Sequence, residues 1–135
     1  MSYKLGTRSL QNLSGVHPDL VAVVKRAIEI TEQDFSVIEG IRNINRQREL
    51  VKTGKSTTMN SRHLTGHAVD IAPWPFNGDF DEDGIPNIED WDQYYPLEEA
   101  MKTAAEELEV DIEWGGDWKS FPDGPHYQLS RKAYP

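Results

Sequence analysis

The chain has 135 residues, the size of one domain, and its 37% hydrophobic content is sufficient for a globular core. Its net charge of −9 weighs against a nucleic-acid-binding protein, which would carry a basic surface. There is no cysteine, so a transition metal would have to be held by histidine, aspartate or glutamate. The sequence lacks a membrane-spanning apolar run, and residues 1–15 lack the apolar centre of a signal peptide.

The first predicted elements are a helix, a strand and a second helix. Residues 17–30 carry apolar side chains at helical spacing after Pro18, which suits a first helical turn. Residues 34–41 are rich in β-branched and aromatic side chains, which favour a strand. Residues 43–54 have a polar helical pattern that ends at Gly54.

The second half of the chain predicts a short strand at 67–73, a helix at 95–110 and strands at 111–114 and 126–130. The buried stripe of this helix is predicted to contain Leu97, Met101, Ala104, Ala105 and Leu108. Short strands interspersed with about three helices predict an α+β fold with a small, mainly antiparallel sheet. We expect a single domain over residues 1–135.

The segment SRHLTGHAVD, residues 61–70, contains candidate metal ligands. A helical pair of His63 and His67 is disfavoured, because Gly66 lies between them and the following residues favour a strand. Strand residues an odd number of positions apart point to opposite faces, so His67 and Asp70 would diverge. His63 precedes Gly66 on a loop that can fold back, which pairs His63 with Asp70.

A third ligand is needed, and the candidates are His17 and His126. His17 directly precedes the first helix, where capping or exposure explains it, whereas His126 opens the last predicted strand. Two imidazoles and a carboxylate leave a fourth tetrahedral position open, as a catalytic zinc site requires. The alternative is that the histidines and Asp70 are ordinary core, cap or turn residues that bind no metal.

Two further residues are candidates for catalysis. Asp123 lies three residues before His126, where a carboxylate close to the metal could take and return a proton. Arg42, at the end of the first strand, could stabilise charge on a substrate carbonyl oxygen. The alternatives are that Asp123 forms a turn in PDGP and that Arg42 pairs with Glu39.

The acidic segment DFDEDGIPNIED, residues 79–90, has the ligand spacing of an EF-hand calcium loop, with Gly84 at the sharp turn. The expected ligands are Asp79, Asp81, Asp83, the backbone carbonyl of Ile85, Asn87 and Asp90. Position 12 is Asp instead of the usual Glu, and flanking helices are not evident, so a solvated acidic loop is the alternative. We expect a calcium-binding insertion at residues 77–92 that shapes the cleft wall.

Several motifs together resemble one family of zinc peptidases. SRHLTGHAVD fits S-x-H-x-x-G-x-A-x-D, DGPH fits D-x-x-H, and EGIR and EWGGDW occur in family order. The chain resembles the D-Ala-D-Ala dipeptidases and carboxypeptidases and the phage L-alanyl-D-glutamate endopeptidases over most of its length. The resemblance implies zinc ligands and catalytic residues: His63, Asp70 and His126 for zinc, Asp123 as catalytic carboxylate, and Arg42 as transition-state arginine. It also implies that Ser61, Asp117 and Trp118 support the cleft.

The resemblance implies a phage endolysin that cuts the L-Ala–D-Glu bond of peptidoglycan stem peptides, with catalytic zinc and structural or regulatory calcium. Such a protein would be made in the host cytoplasm and reach the cell wall through a holin. Peptidoglycan would be its partner, without nucleic acid or membrane binding, and a monomer is expected. The alternatives are a D-Ala-D-Ala carboxypeptidase and a non-catalytic metal-holding binding module of the same fold.

Overall fold

The computed structural model describes residues 3–54, 61–75, 79–80, 86–88, 90–120 and 122–135, with 79–80 and 86–87 described by their backbone. Its α-helices are α1 (Thr7–Asn12), α2 (Pro18–Ile30), α3 (Ile44–Lys52) and α4 (Tyr95–Leu108). Its strands are β1 (Phe35–Glu39), β2 (Ala68–Pro73), β3 (Asp79–Phe80), β4 (Pro86–Asn87), β5 (Ile112–Trp114) and β6 (His126–Leu129). Short 3-10 helices span Arg62–Thr65, Trp91–Gln93 and Gly115–Asp117.

The main sheet has four strands in the order β1-β2-β6-β5, and every neighbouring pair is antiparallel. This arrangement confirms the predicted α+β fold with a small antiparallel sheet. All residues of β2 and β6, the two central strands, are buried. Side chains on these two strands can therefore form a site that is shielded from water.

Helix α1 was not predicted from the sequence, because it is short and has a single buried residue, Ser9. It lies against the outer edge of β1. The Val37 N–H donates to Ser9 Oγ at 3.0 Å, and Asn12 Nδ2 donates to the Val37 carbonyl at 2.8 Å. These side chains satisfy backbone groups of an edge strand that would otherwise be open to pairing with another chain.

The hydrophobic core combines the apolar stripes of α2 and α4 with inward side chains of the sheet, including Leu20, Val24, Val69, Met101 and Leu129. The predicted burial of Leu108 is wrong, since this side chain is 42% exposed. The chain reverses after α4 at Glu109, where φ is +57°, and the Val110 N–H bonds to the Ala105 carbonyl. This helix end places Val110 against the core, and Leu108 is left outside.

Strands β3 and β4 of the acidic segment form a small antiparallel ribbon, in which Asp79 pairs with Asn87 and Phe80 with Pro86. Ile88 follows the ribbon and is buried in the core. Among the helices that the structure describes, none has the length and apolar character needed to cross a bilayer.

Candidate active site

His63 is held on the 3-10 helix Arg62–Thr65 by local backbone features. Ser61 caps this helix, its Oγ accepting from the His63 N–H at 3.2 Å. Gly66 ends it with φ +76°, and a Cβ at this position would lie 2.6 Å from the Gly15 carbonyl oxygen. The turn at Gly66 therefore needs glycine for both its conformation and its packing. It directs the buried His63 side chain back toward the sheet, as predicted.

The other two cluster members face each other across the sheet, because Asp70 of β2 pairs with His126 of β6. His63 Nε2 lies 3.2 Å from Asp70 Oδ1 and 3.2 Å from His126 Nδ1. His126 Nδ1 lies 3.3 Å from the same Asp70 oxygen. The predicted trio thus converges, and its three facing atoms form a group that could hold a metal ion.

The outer nitrogen of each imidazole has an acceptor as its partner. His63 Nδ1 donates to the Gly40 carbonyl at 2.8 Å, and His126 Nε2 donates to Gln128 Oε1 at 2.8 Å. In the neutral rings, His63 Nε2 and His126 Nδ1 therefore carry lone pairs that face Asp70. Tetrahedral zinc ligands with bonds of about 2.0–2.1 Å lie about 3.3 Å apart, so the observed spacing fits zinc.

The electrostatics of the metal-free cluster keep Asp70 ionised. Burial on its own would raise the pKa of Asp70, but His63 and His126 outweigh burial and hold this pKa well below its usual range. Burial would lower the pKa of His126, yet Asp70, Asp123 and Gln128 together raise it. The Asp70 carboxylate thus remains charged in a buried position and attracts positive charge.

Asp123 lies next to the cluster on the loop before β6. Its N–H donates to the Gly115 carbonyl at 2.9 Å, and its own carbonyl accepts from the His126 N–H at 3.2 Å. A Cβ on Gly115 would lie 2.5 Å from the Asp123 carbonyl oxygen, so glycine permits this close approach. Burial, followed by the negative charge of Asp70, raises the pKa of Asp123 to about 6. A carboxyl group in this range can both accept and release a proton near neutral pH.

Arg42 is buried beside the cluster, with Nη2 at 3.7 Å from Asp70 Oδ2. Its guanidinium also makes two hydrogen bonds to Glu39, at 2.7 and 2.8 Å, and one to Gln47 at 2.8 Å. The pairing with Glu39 considered as an alternative is therefore present, and it fixes the guanidinium in a position close to the metal ligands. A role in stabilising a transition state stays a prediction.

The remaining predicted residues lie at different distances from the cluster. The Trp118 ring is 5.0 Å from the His126 ring and is partly exposed, so it flanks the site. Asp117 is exposed and forms an ion pair with Lys102 of α4 at 2.9 Å. His17 caps α2 by accepting from the Asp19 N–H at 3.1 Å, which agrees with its expected capping role.

Sequence reasoning missed Tyr94, Glu113 and Gln128. The buried Tyr94 ring packs over Gly124, where a Cβ would lie 2.5 Å from the ring. Burial, and then the charge of Asp123, raises the pKa of Tyr94, so its phenol remains protonated beside the site. Strand alternation could have found Gln128, which lies two residues after His126 and hence on the same face of β6.

The acidic segment is described in part. Asp81, Asp83 and Ile85 lie outside the described residues, and Asp79 and Asn87 are described by their backbone within the ribbon. Asp90 is exposed and caps the 3-10 helix Trp91–Gln93, with Oδ1 accepting from the Asp92 N–H at 3.1 Å. The calcium site therefore stays a prediction.

Comparison with known proteins identifies the family. The family model for phage L-alanyl-D-glutamate peptidases matches residues 1–133. The chain is 31% identical to the L-alanyl-D-glutamate peptidase of Escherichia phage T5, over 99% of this chain and 94% of that protein. It is 30% identical to the corresponding peptidase of Listeria phage A118, over 95% of this chain and 43% of that longer protein.

A solved structure agrees with this assignment. The crystal structure of the Serratia marcescens L-Ala D-Glu endopeptidase ChiX superimposes with a TM-score of 0.83 at 45% sequence identity, covering 98% of this chain and 94% of ChiX. The fold, the converging trio and the whole-length match agree with the resemblance seen in the sequence motifs. The chain belongs to the family of phage L-alanyl-D-glutamate peptidases.

Proposed function

We propose that this chain is a zinc-dependent phage endolysin that hydrolyses the L-Ala–D-Glu bond of peptidoglycan stem peptides. The observation that carries the proposal is the convergence of His63, Asp70 and His126 with their inner lone pairs facing one another. Two neutral imidazoles and a carboxylate that face one another in a buried position present only lone pairs, so they need either a metal ion or a ring proton between them. The family membership supports the choice of bond.

Zinc, when bound, would act as a Lewis acid that polarises the substrate carbonyl and lowers the pKa of a water molecule to about 7. Asp123 takes a proton from the attacking water and delivers it to the leaving nitrogen of D-Glu. In the metal-free protein, burial and the charge of Asp70 raise its pKa to about 6, close to the range in which a carboxyl group exchanges protons near neutral pH. Arg42, held by Glu39, supplies positive charge beside the site as the carbonyl oxygen becomes negative.

The partly exposed Trp118 ring flanks His126 and offers an apolar surface to the substrate peptide. Ser61 holds the start of the helix that carries His63. Asp117, through Lys102, ties the Gly115–Asp117 turn to α4, and this turn fixes the backbone of Asp123. We assign Ser61 and Asp117 supporting roles.

The test is mass spectrometry of purified peptidoglycan after digestion by the zinc-loaded protein. The expected products are stem peptides with a new amino terminus at D-Glu and glycan strands that retain L-Ala. Release of terminal D-Ala alone would instead support a D-Ala-D-Ala carboxypeptidase. Zinc binding without any hydrolysis would support a non-catalytic binding module.

We also propose that residues 77–92 form a calcium-binding insertion that regulates this site. The ligand spacing in the sequence supports calcium binding. A continuous path supports regulation: Asp90 caps the Trp91–Gln93 helix, Tyr94 follows, and the Tyr94 ring packs over Gly124, next to Asp123. Calcium binding would fix the position of Asp90 and so stabilise Tyr94 and the part of the cleft wall next to Asp123.

The regulatory proposal is tested by measuring hydrolysis against free calcium with zinc held constant. We expect activity to rise with calcium and to saturate, since clustered carboxylates repel one another until a cation binds. A flat curve that chelation of calcium does not alter would rule out regulation. Isothermal titration of the zinc-loaded protein with calcium separately measures binding.

We propose that the single-domain protein acts as a monomer, accumulates in the host cytoplasm and reaches peptidoglycan after a holin opens the inner membrane. Expression in a bacterial host with and without a holin tests this route. We expect lysis with both proteins present, and lysis by the peptidase alone would contradict the holin requirement. Sedimentation analysis tests the monomer.

A further inference from the structure

We propose that Glu113 and Gln128 act as positioning residues that select the tautomer of His126 and so keep Nδ1 available to the metal. The contact on which this rests is a chain of two hydrogen bonds. His126 Nε2 donates to Gln128 Oε1 at 2.8 Å, and Gln128 Nε2 donates to Glu113 Oε2 at 2.9 Å. The inference rests on the proposed metal site, but it is independent of the bond that the enzyme cleaves.

The two histidines present different nitrogens to the cluster, and their tautomers are fixed in different ways. His63 turns Nε2 inward, and its Nδ1 faces the Gly40 carbonyl, which can accept hydrogen bonds but cannot donate. His126 turns Nδ1 inward, and its Nε2 faces a side-chain amide. An amide has one accepting end and one donating end, so it does not by itself dictate the tautomer.

Glu113 decides which end of the Gln128 amide faces His126. An ionised carboxylate can only accept, so the Gln128 NH2 group turns toward Glu113 and Oε1 turns toward His126. The reversed amide would place two oxygens against each other and require a lone pair at His126 Nε2. The ring proton would then lie on Nδ1, where it blocks a metal ion.

The strand register keeps these three side chains in line. Gln128 and His126 are two residues apart on β6 and share a face, and Glu113 of β5 pairs directly with Gln128. Gln128 is 6% exposed, whereas Glu113 is exposed. The chain therefore connects a buried ligand to a charged group at the surface, and breaking it would leave a buried polar group unpaired.

The test begins with metal-free protein labelled with 15N in histidine, in alkaline solution where the imidazole is neutral. Long-range proton–nitrogen NMR should report a larger fraction of the Nε2–H tautomer of His126 in the parent than in the variants, because Asp70 Oδ1, 3.3 Å from Nδ1, favours the other tautomer in all of these proteins alike. Gln128→Met removes both hydrogen bonds with little change in volume, and Glu113→Gln removes the charge that orients the amide. Both variants should populate the Nδ1–H tautomer.

Zinc affinity provides the second measurement. We expect the zinc dissociation constant to rise about 10–100-fold in Gln128→Met, the usual effect of losing an outer partner of a metal-binding histidine, and less in Glu113→Gln. The double variant Glu113→Gln with Gln128→Glu should restore zinc affinity. The carboxylate at position 128 would accept from His126 Nε2, and the amide at position 113 would donate to that carboxylate. Glu99→Gln, an exposed change on α4, is the matched control.

Unchanged tautomer and zinc affinity in both single variants would overturn the proposal. If Gln128→Met fails to fold, Glu113→Gln at the surface and the double variant still decide the outcome. If Glu113 and Gln128 had a merely structural role, the single variants would be less stable but the tautomer of His126 would not shift. This result would also contradict the proposed hydrogen-bond relay from Glu113 through Gln128 to His126. A shifted tautomer in a protein that cuts a different peptidoglycan bond would support the relay and refute the proposed specificity.

Discussion

The metal cluster and the acidic segment both rest on spaced ligand residues, but they differ in what positions them. In the cluster, strand pairing places Asp70 opposite His126, and a capped 3-10 helix directs His63 between them. In the acidic segment, the described ribbon β3–β4 is two residues long, and Asp90 is engaged in a local cap. Pairing across the main sheet organises the cluster. The described part of the acidic segment instead shows a short ribbon, a local cap and the burial of Ile88 in the core, and its ligand positions depend, as proposed, on a cation.

The largest effect should come from removing one cluster histidine. We expect His63→Ala to lose zinc and to reduce hydrolysis to the level of a blank, because two ligands do not hold zinc in place. His67→Ala is the matched control, since the His67 side chain bonds Thr65 and contacts the His17 ring. Metal analysis after dialysis measures both. Loss of zinc from the His67 variant would restore the helical-pair interpretation that the sequence disfavours.

The next effect separates proton transfer from metal binding. Asp123→Asn should reduce the turnover number about 10²–10⁴-fold, the usual contribution of a general acid–base group. Zinc content should stay at the parental level, because the ligand trio is intact. Steady-state hydrolysis and metal analysis on the same preparation test both statements. Parental activity in this variant would remove Asp123 from the mechanism.

The same comparison explains how much the sequence could predict. The pairing of His63 with Asp70 was predictable because strand alternation and the break at Gly66 constrain where these side chains can point. The choice of His126 over His17 as the third ligand came from its place at the start of the last strand and from the family resemblance. Helix α1 was not predictable, since it is short and its role depends on contacts with Val37 across a long sequence separation. Leu108 fits a helical stripe, but where the helix ends relative to the core is a tertiary property.

Of the outer partners of the site, strand alternation could have found Gln128, but the others were beyond sequence reasoning. Glu113 and Gln128 become neighbours only through the β5–β6 register, which the sequence does not specify. Tyr94 precedes α4 and has an unremarkable helix-start pattern, yet its ring is needed over Gly124. Local sequence patterns and the family resemblance thus predicted the metal ligands. Finding the residues that contact and orient the site required the tertiary structure.

Replacing the turn glycine should disturb the organised region through the backbone. Gly66→Ala should lower the free energy of unfolding by about 1–3 kcal/mol, because alanine is strained at φ +76° and its Cβ would meet the Gly15 carbonyl. Chemical denaturation of the metal-free protein measures this loss. Gly54→Ala is the control, since its φ is +80° but no atom of the described residues lies within 4 Å of the added Cβ. Equal losses in the two variants would show that packing at Gly66 contributes nothing.

The charge of the metal-free site should make its stability depend on pH. The pKa of Asp123 is raised from 3.8 to about 6 in the folded protein, so the folded state binds this proton more tightly than the unfolded state. The resulting stabilisation is full below pH 3.8 and is lost as the pH rises through about 6. Above that pH, metal-free Asp123→Asn should therefore be more stable than the parent, by an amount on the order of 2 kcal/mol.

Thermal melts across this pH range, with zinc removed, measure the difference between Asp123→Asn and the parent. The difference should shrink as the pH falls below 6 and vanish well below pH 3.8, where Asp123 is protonated in both states. Saturating zinc should also reduce it, because a cation offsets the repulsion between Asp123 and Asp70. If the difference in stability between Asp123→Asn and the parent does not change with pH, burial and Asp70 do not raise the pKa of Asp123.

The smallest expected effect distinguishes the two roles of Asp90 in the acidic segment. Asparagine is as good a helix cap as aspartate, so Asp90→Asn should leave the stability of the calcium-free protein unchanged, whereas Asp90→Ala should lower it by about 0.5–1 kcal/mol. Both variants should bind calcium more weakly, because each removes a negatively charged ligand at position 12 of the loop. Asp92→Asn, an exposed neighbour outside the ligand spacing, is the control. If Asp90→Asn binds calcium as tightly as the parent, Asp90 serves as a cap alone, and its connection to Tyr94 would not transmit calcium binding to Asp123.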